Sequence, residues 1–266
     1  MADSSDDAVE AVLAHGELDL YGRLVDASNV ALVGYARLDG LEVRCVYKPT
    51  AGERPLWDFP TGTLGLREVA AYRVSHAAGW NLVPVTAWRA DGPAGEGMCQ
   101  AWIDVDESVA LVDVVPRGRV PEGWRHVLDA EGARGRPVTL VHADTNDLRA
   151  MAVFDAAVNN ADRKGGHVLV DSDGRARGVD HGVTFSEDDK LRTVLWGWAG
   201  EPIGDDLLAD LTRLRSWLDS IDEGGIHHLL DPHEVSRTIA RVDVLLHQKV
   251  FPLPGDEWPM LPWPAF

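Results

Sequence analysis

Two aspartates in the stretch Asn159 to Gly182, NNADRKGGHVLVDSDGRARGVDHG, stand in settings suited to different work. Asp162 follows an Asn-Asn pair and precedes Arg-Lys-Gly-Gly, while Asp180 comes 18 residues later (180 minus 162), between Val179 and His181-Gly182. The segment between them, VLVDSDGRARGV, reads as two short strands joined through an Asp171-Ser172-Asp173-Gly174 turn. Such a hairpin returns its two ends to the same place. It can therefore set one carboxylate against an acceptor hydroxyl and the other against a divalent cation. A cation of the protein's own is the third requirement. Lys48, Lys164, Lys190 and Lys249 are the four lysines of the chain, so each position needs a reason. Lys48 ends a strand-like run and Glu68 lies in the next helical run. A strand lysine can offer a compact charge to phosphates while a helix glutamate fixes its direction; the plainer alternative is an unrelated surface lysine and surface glutamate.

The elements that must position these groups follow from hydrophobic periodicity. A short helix over Asp6 to Ala14 stops near Gly16. LDLYGRLV and VALVGYARL alternate as strands around the polar turn DASN, and Asp39-Gly40 signals a tight hairpin into LEVRCVYK. After the loop PTAGERPLWDFPTGT, the run LGLREVAAYRVSHAAGW places Leu66, Val69, Ala70 and Val74 on one helical face, with Gly79 as the stop. NLVPVTAWRA and MCQAWIDV add two strands across DGPAGEG. Residues 1–103 should thus form a five-stranded antiparallel sheet with one helix. From about residue 145 the runs TNDLRAMAVFDAAVNN, GDDLLADLTRLRSWLDSI and PHEVSRTIARVDVLLHQKV read as helices, and FPLPGDEWPMLPWPAF as an extended tail over the larger, C-terminal part.

Composition narrows the partners. A 266-residue chain with 45% hydrophobic and 26% charged residues can bury a sizeable core. Its net charge of −18 repels phosphate backbones and anionic headgroups, which argues against nucleic acid and membrane surfaces as partners. There is no signal-like start and no apolar run long enough for a membrane span, so a cytoplasmic location is expected. Cys45 and Cys99 lie in strand-like contexts without metal-ligand spacing and are expected to be reduced core residues.

The order of strand lysine, helix glutamate, loop aspartate and hairpin aspartate is the order in which kinases assemble their phosphate and metal ligands. NNADRKGGHVLV with GVDHGVTF resembles the catalytic and metal-binding segments of the phosphatidylinositol 3-/4-kinase-related and HipA-like atypical kinases. Over nearly the whole chain, VYKPTAGERPLWDFPTGTL, REVAAY, NNADRKGGH, DHGVTF, KLRTVLWGWAGEPI and the PWP end resemble an actinobacterial family described as SCO1664-like. The resemblance implies an α+β, two-lobed atypical protein-kinase-like fold. Residues 1–103 would be the antiparallel N-lobe and residues 104–266 a mainly helical C-lobe.

It also implies roles. Lys48 would bind phosphate and Glu68 would pair with it; Asp162 would be the acceptor-side base, with Asn160 beside it in the catalytic loop. Asp180 would hold Mg²⁺ or Mn²⁺. Ser28 and Asn29 of the DASN turn would cover the phosphates of ATP, and residues 100–103, with Gln100 and Trp102, would form the adenine hinge. Two features depart from the pattern. DASN lacks the glycine-rich form and can equally be a plain hairpin turn. His167 takes the slot, five residues after Asp162, where the template has a metal-binding asparagine.

Further candidates have two readings each. Asn160 can buttress the loop or end a helix in solvent; His142 and Asp144 can be hydrolase metal ligands or helix-cap chemistry; Lys190 and Arg192 can bind the acceptor or form a solvated turn. The function expected is ATP- and Mg²⁺-dependent phosphoryl transfer to a small-molecule or protein hydroxyl. The alternatives are a nucleotide-binding pseudokinase without transfer, and a metal-dependent phosphohydrolase built on Asp162, His167, Asp180 and His181.

Overall fold

Asp39 and Gly40 both take positive φ, 50° and 84°, the conformation a two-residue hairpin demands and the reason an Asp-Gly pair sits there. They join β2 (Leu32–Leu38) to β3 (Leu41–Pro49) with Leu38 opposite Leu41. The computed structural model describes residues 4–24, 29–132, 135–220 and 224–266. With β1 (Glu17–Arg23), β4 (Thr86–Arg89) and β5 (Gly97–Ala101), these strands make one antiparallel sheet in the order β1-β2-β3-β5-β4.

Two helices serve this sheet, the short N-terminal one as well as the helix expected to pack there. α1 (Ser4–His15) packs Val12 and Leu13 against Ala36, Cys45, Tyr47, Ala87 and Cys99, forming a small core on one sheet face. Both cysteines are free and buried in that region, as expected. α2 (Leu64–Ala77) is buried around most of its circumference. Its Ala70, Ala71 and Val74 belong to a second, larger core shared with the C-terminal helices.

Residues 112–143, for which the sequence pattern sets out no element, form a second antiparallel sheet. β6 (Val112–Pro116), β7 (Trp124–Glu131) and β8 (Pro137–Ala143) lie in the order β6-β8-β7. The part of the chain expected to be mainly helical therefore opens on strands. It continues with α3 (Asn146–Val158), the two-stranded hairpin β9 (Val168–Val170) and β10 (Ala176–Gly178), α4 (Asp205–Leu218) and α5 (Pro232–Gln248). α3 runs through the middle of the larger core, with Leu148, Met151, Val153, Phe154, Ala157 and Val158 buried. Beyond α5 the tail runs without helix or strand to Phe266. Among the described residues no helix is long and apolar enough to cross a membrane.

Candidate functional site

Strand alternation puts Val46 and Lys48 of β3 on the face opposite Cys45 and Tyr47, so Lys48 points away from the small core. Its Nζ donates to Glu68 Oε1 at 2.7 Å and to Asp180 Oδ1 at 2.9 Å. One ammonium thus joins β3, α2 and the end of the β9–β10 hairpin. Burial works against the charge of Lys48, but Asp180 and then Glu68 outweigh it and hold the group well above the ordinary lysine range. Lys48 in turn holds Asp180 well below the usual carboxylate range. Burial pushes Glu68 upward against the pull of Lys48. The three groups differ in access. Half of the Asp180 side chain and a fifth of the Lys48 side chain are exposed, whereas Glu68 is buried. Lys48 and Asp180 both reach the cleft, and Glu68 stays behind them.

α2 is held for this task at Arg67, the neighbour of Glu68. Arg67 is buried, donates to the Thr184 carbonyl at 2.7 Å and pairs with Glu234 near the start of α5. Glu234 is also the reciprocal partner in the Asp231 capping box.

The two asparagines before Asp162 do different jobs. Asn159 ends α3 in the left-handed conformation, φ 52°. Its side chain donates to the carbonyls of Ser186 and Asp188 and accepts from the Lys190 N–H, tying down the segment after Asp180. Asn160 is buried: its Oδ1 accepts from the Asp162 N–H at 3.0 Å and its Nδ2 donates to Asp155 at 3.0 Å. It buttresses the loop from within and does not line the neighbouring cleft. Asp155, fully buried on α3, also takes Arg163 through Nε and a terminal nitrogen, and Thr193 through its hydroxyl. Arg163 reaches on to the carbonyls of His167 and Val179 and donates to His181 Nε2. A single buried arginine thereby locks the start of the hairpin to its end, which fixes Asp162 relative to Asp180.

Asp162 itself meets Lys164, Nζ to Oδ2 3.1 Å. Burial pushes its carboxyl upward, opposed by Lys164. Asp180 has φ 61°, a left-handed conformation that a non-glycine residue adopts at a cost, and such strain collects at functional positions. His167 Nε2 lies 3.5 Å from Asp180 Oδ2, and burial draws its pKa down. Its Nδ1 is buried with no hydrogen-bond partner.

Lys48, His167 and Asp180 face a cleft of about 440 Å³, whereas Asp162 and Lys164 are not among the residues that line it. Ala31, Val46, Leu169 and Val179 give it apolar walls, Lys48, His167 and Asp180 lie at its polar side, and residues 100–103 form an edge. Of the residues expected to contact a nucleotide, Asn29, Lys48, Gln100 and Trp102 line it. Ser28, with Asp26 and Ala27 of the same turn, lies outside the described residues. Two of the lining side chains are already engaged. Asn29 Oδ1 accepts from the Arg54 N–H at 2.8 Å, and Gln100 Nε2 donates to Thr86 Oγ1 at 2.8 Å. Trp102 stacks under the Arg44 guanidinium, 4.0 Å away.

Other expectations resolve differently. His142 is wholly buried, accepts from the Gly197 N–H at 3.0 Å, and burial lowers its pKa to about 4; Asp144 pairs with Arg125 and Arg149. Neither is a metal ligand, and the cap of α3 is Thr145. Lys190 is no solvated turn. Its Nζ is buried against Asp58 at 3.1 Å, within 4.8 Å of the Phe59 ring centre and 5.1 Å of that of Trp258. His181 is buried behind Arg163 with its ring edge against Phe154, away from the cleft. Among the described residues no three His, Cys, Asp or Glu side chains converge as a metal site.

No protein-family model matches the chain. Protein Rv2133c of Mycobacterium tuberculosis (strain ATCC 25618 / H37Rv) is 47% identical over 269 residues, covering 98% of this chain and 96% of its own. Among solved structures, the Helicobacter pylori proinflammatory kinase CtkA aligns over 90% of this chain and 94% of its own, at 11% identity and a TM-score of 0.42.

Proposed function

The chain belongs to the family of Mycobacterium tuberculosis protein Rv2133c, an actinobacterial family, and we propose that it is an ATP- and Mg²⁺-dependent phosphotransferase of the atypical kinase type, acting on a soluble hydroxyl acceptor. The observation that carries this reading is the Lys48 ammonium held between Glu68 and Asp180 at the polar side of an apolar-walled cleft. A purely structural ion pair has no need of a half-exposed carboxylate or of a left-handed backbone at Asp180. The cleft falls within the size range of small-molecule sites.

In this reading Ala31, Val46, Leu169 and Val179 sandwich the adenine, and residues 100–103 meet its polar edge. Ile103 lines the cleft there, and its N–H makes no hydrogen bond among the described residues. Lys48, steered by Glu68, neutralises phosphate oxygens. Asp180 and His167 would hold the divalent cation. Two protein ligands suit a metal that completes its shell with phosphate oxygens and water, which is how Mg²⁺ is usually bound beside nucleotides. Mg²⁺ supplies charge neutralisation across the phosphates. Asp162 orients the acceptor hydroxyl and takes its proton, while Lys164 stands beside it to meet the charge on the transferred group. Of the four residues of the phosphohydrolase alternative, His167 and Asp180 line the cleft, and His181 is held behind Arg163.

Mg-ATP should raise the melting temperature by native-state binding. At a concentration of 100 times Kd the gain is about 2.7 kcal/mol. For a chain of this size that corresponds to roughly 5–10 °C. Lys48→Ala and Asp180→Asn should each shrink the shift, measured against each variant's own nucleotide-free melting temperature. An undiminished shift in both would remove the assignment.

His167 allows a separate test. Imidazole nitrogen suits Mn²⁺ better than Mg²⁺, whose preferred ligands are oxygens. His167→Asn should move the ratio of Mn-ATP to Mg-ATP affinity toward Mg²⁺, read by titration calorimetry. An unchanged ratio would confine His167 to a hydrogen-bonding role.

A further inference from the structure

The cations around the catalytic loop can be assigned one by one, and one is left over. Lys48 pairs with Glu68 and Asp180, Lys164 with Asp162, Arg163 with Asp155, and Lys190 with Asp58. Arg192 has no carboxylate partner among the described residues. Its guanidinium lies over the Trp258 ring at 5.2 Å, and its Nε is buried without a hydrogen-bond acceptor. Among the described residues Arg23, Arg54, Arg119, Arg136 and Arg175 also have no carboxylate partner but are exposed, and buried Arg89, likewise without one, is satisfied by the carbonyls of Leu13, Gly16 and Asp91. A shielded guanidinium N–H left unsatisfied is costly, and a chain with 43 acidic residues has no shortage of carboxylates to offer it.

The position of Arg192 gives the cost a meaning. Its N–H donates to the Asn160 carbonyl at 2.9 Å and its carbonyl accepts from the Arg163 N–H at 3.0 Å, so its backbone brackets Asp162. The tail that supplies Trp258 occupies the same side of the loop. The Thr193 N–H is taken by the Met260 carbonyl and the Gly165 N–H by the Ala265 carbonyl, and the Phe266 ring sits where a side chain on Gly165 would be. Backbone groups that an extended peptide could pair with are therefore already used.

We propose that Arg192, backed by Trp258, binds an anionic group, phosphate ester or carboxylate, on a small hydroxyl compound that is the acceptor. Arg presents a planar fork matched to such groups, and stacking on an indole holds that fork in place. The acceptor role rests on the phosphotransferase reading; the anion site does not.

Calorimetric titration of the full chain, saturated with Mg²⁺ and a non-hydrolysable ATP analogue, tests this with sn-glycerol 3-phosphate, D-glycerate and neutral glycerol. At least one anion should bind while glycerol does not, and the better anion identifies the group. Arg192→Met should weaken that anion at least tenfold and Arg192→Lys less, with the Mg-ATP thermal shift intact in both. The anion should still bind the Lys48→Ala variant. Equal affinity in wild type and Arg192→Met, or no binding of either anion to wild type, overturns the site. Binding of an acidic serine peptide in place of both anions overturns the small acceptor. If anions bind through Arg192 while Mg-ATP gives no thermal shift to the wild type, the phosphotransferase reading fails and the anion site stands.

Discussion

Asp162→Asn is expected to lower the rate of ADP formation from Mg-ATP by roughly 10²- to 10⁴-fold, the span a positioned general base contributes. Asparagine keeps the shape of the side chain and the backbone N–H that Asn160 Oδ1 holds at 3.0 Å. What it loses is the carboxylate, and with it the ability to take the acceptor proton. Lys164, now 3.1 Å from Asp162, would lose its counter-charge as well. Because neither Lys48 nor Asp180 is touched, the variant should still be stabilised by Mg-ATP. Chromatographic ADP measurement alongside a melting curve separates the two effects. A wild-type rate in the variant would take Asp162 out of the chemistry.

The second large effect concerns stability. Asp155 and Arg163 are both fully buried, and Asn160 and Thr193 depend on the same carboxylate. Asp155→Ala leaves a buried guanidinium without its counter-charge, a change that costs about 3–5 kcal/mol. In a chain of this size the melting temperature should fall by roughly 6–20 °C. An apolar pair of similar volume, Asp155→Leu with Arg163→Met, should recover part of that loss. It should not recover ADP formation, because Arg163 also holds the His167 and Val179 carbonyls that set the ends of the hairpin. Recovery of both stability and turnover in the double variant would show that the buried pair has no part in placing Asp162 and Asp180.

Where the chemistry is local, the sequence made it legible. Asp39-Gly40 demands its turn, the alternation of β3 aims Lys48, and the Asp171-to-Gly174 turn returns Asp180 toward Asp162, since Asp171 binds the N–H groups of Asp173 and Arg175 within the turn itself. Asn160 before Asp162 is readable as a buttress, but its partner Asp155 lies a helical turn back, outside the motif. The signal was present: AVFDAAV carries a lone acid in an apolar helical run, and a buried carboxylate needs a cation. Contacts distant in sequence left no such mark. Lys190 is buried by Asp58 and Phe59 from the loop before α2 and by Trp258 from the tail, so its own neighbours suggest a solvated turn. The β6-β8-β7 sheet leaves little trace in the sequence because much of it is exposed; Asp113, Val114 and the last residues of β7 face solvent, which removes the apolar alternation that announces a strand. α1 is readable as a helix, but its packing on the sheet rests on Val12 and Leu13 meeting residues from four strands.

ATP labelled separately at the α- and γ-phosphates, incubated with the protein, Mg²⁺ and candidate hydroxyl acceptors and resolved by mass, tests the central claim most directly. The account predicts that the γ-label moves to the acceptor while the α-label stays in ADP, and that both outcomes vanish in Lys48→Ala. Movement of the α-label to the acceptor with release of pyrophosphate would make the protein a nucleotidyltransferase. Retention of both labels in intact ATP that still binds would make it a nucleotide-binding protein without transfer. Either result contradicts phosphoryl transfer.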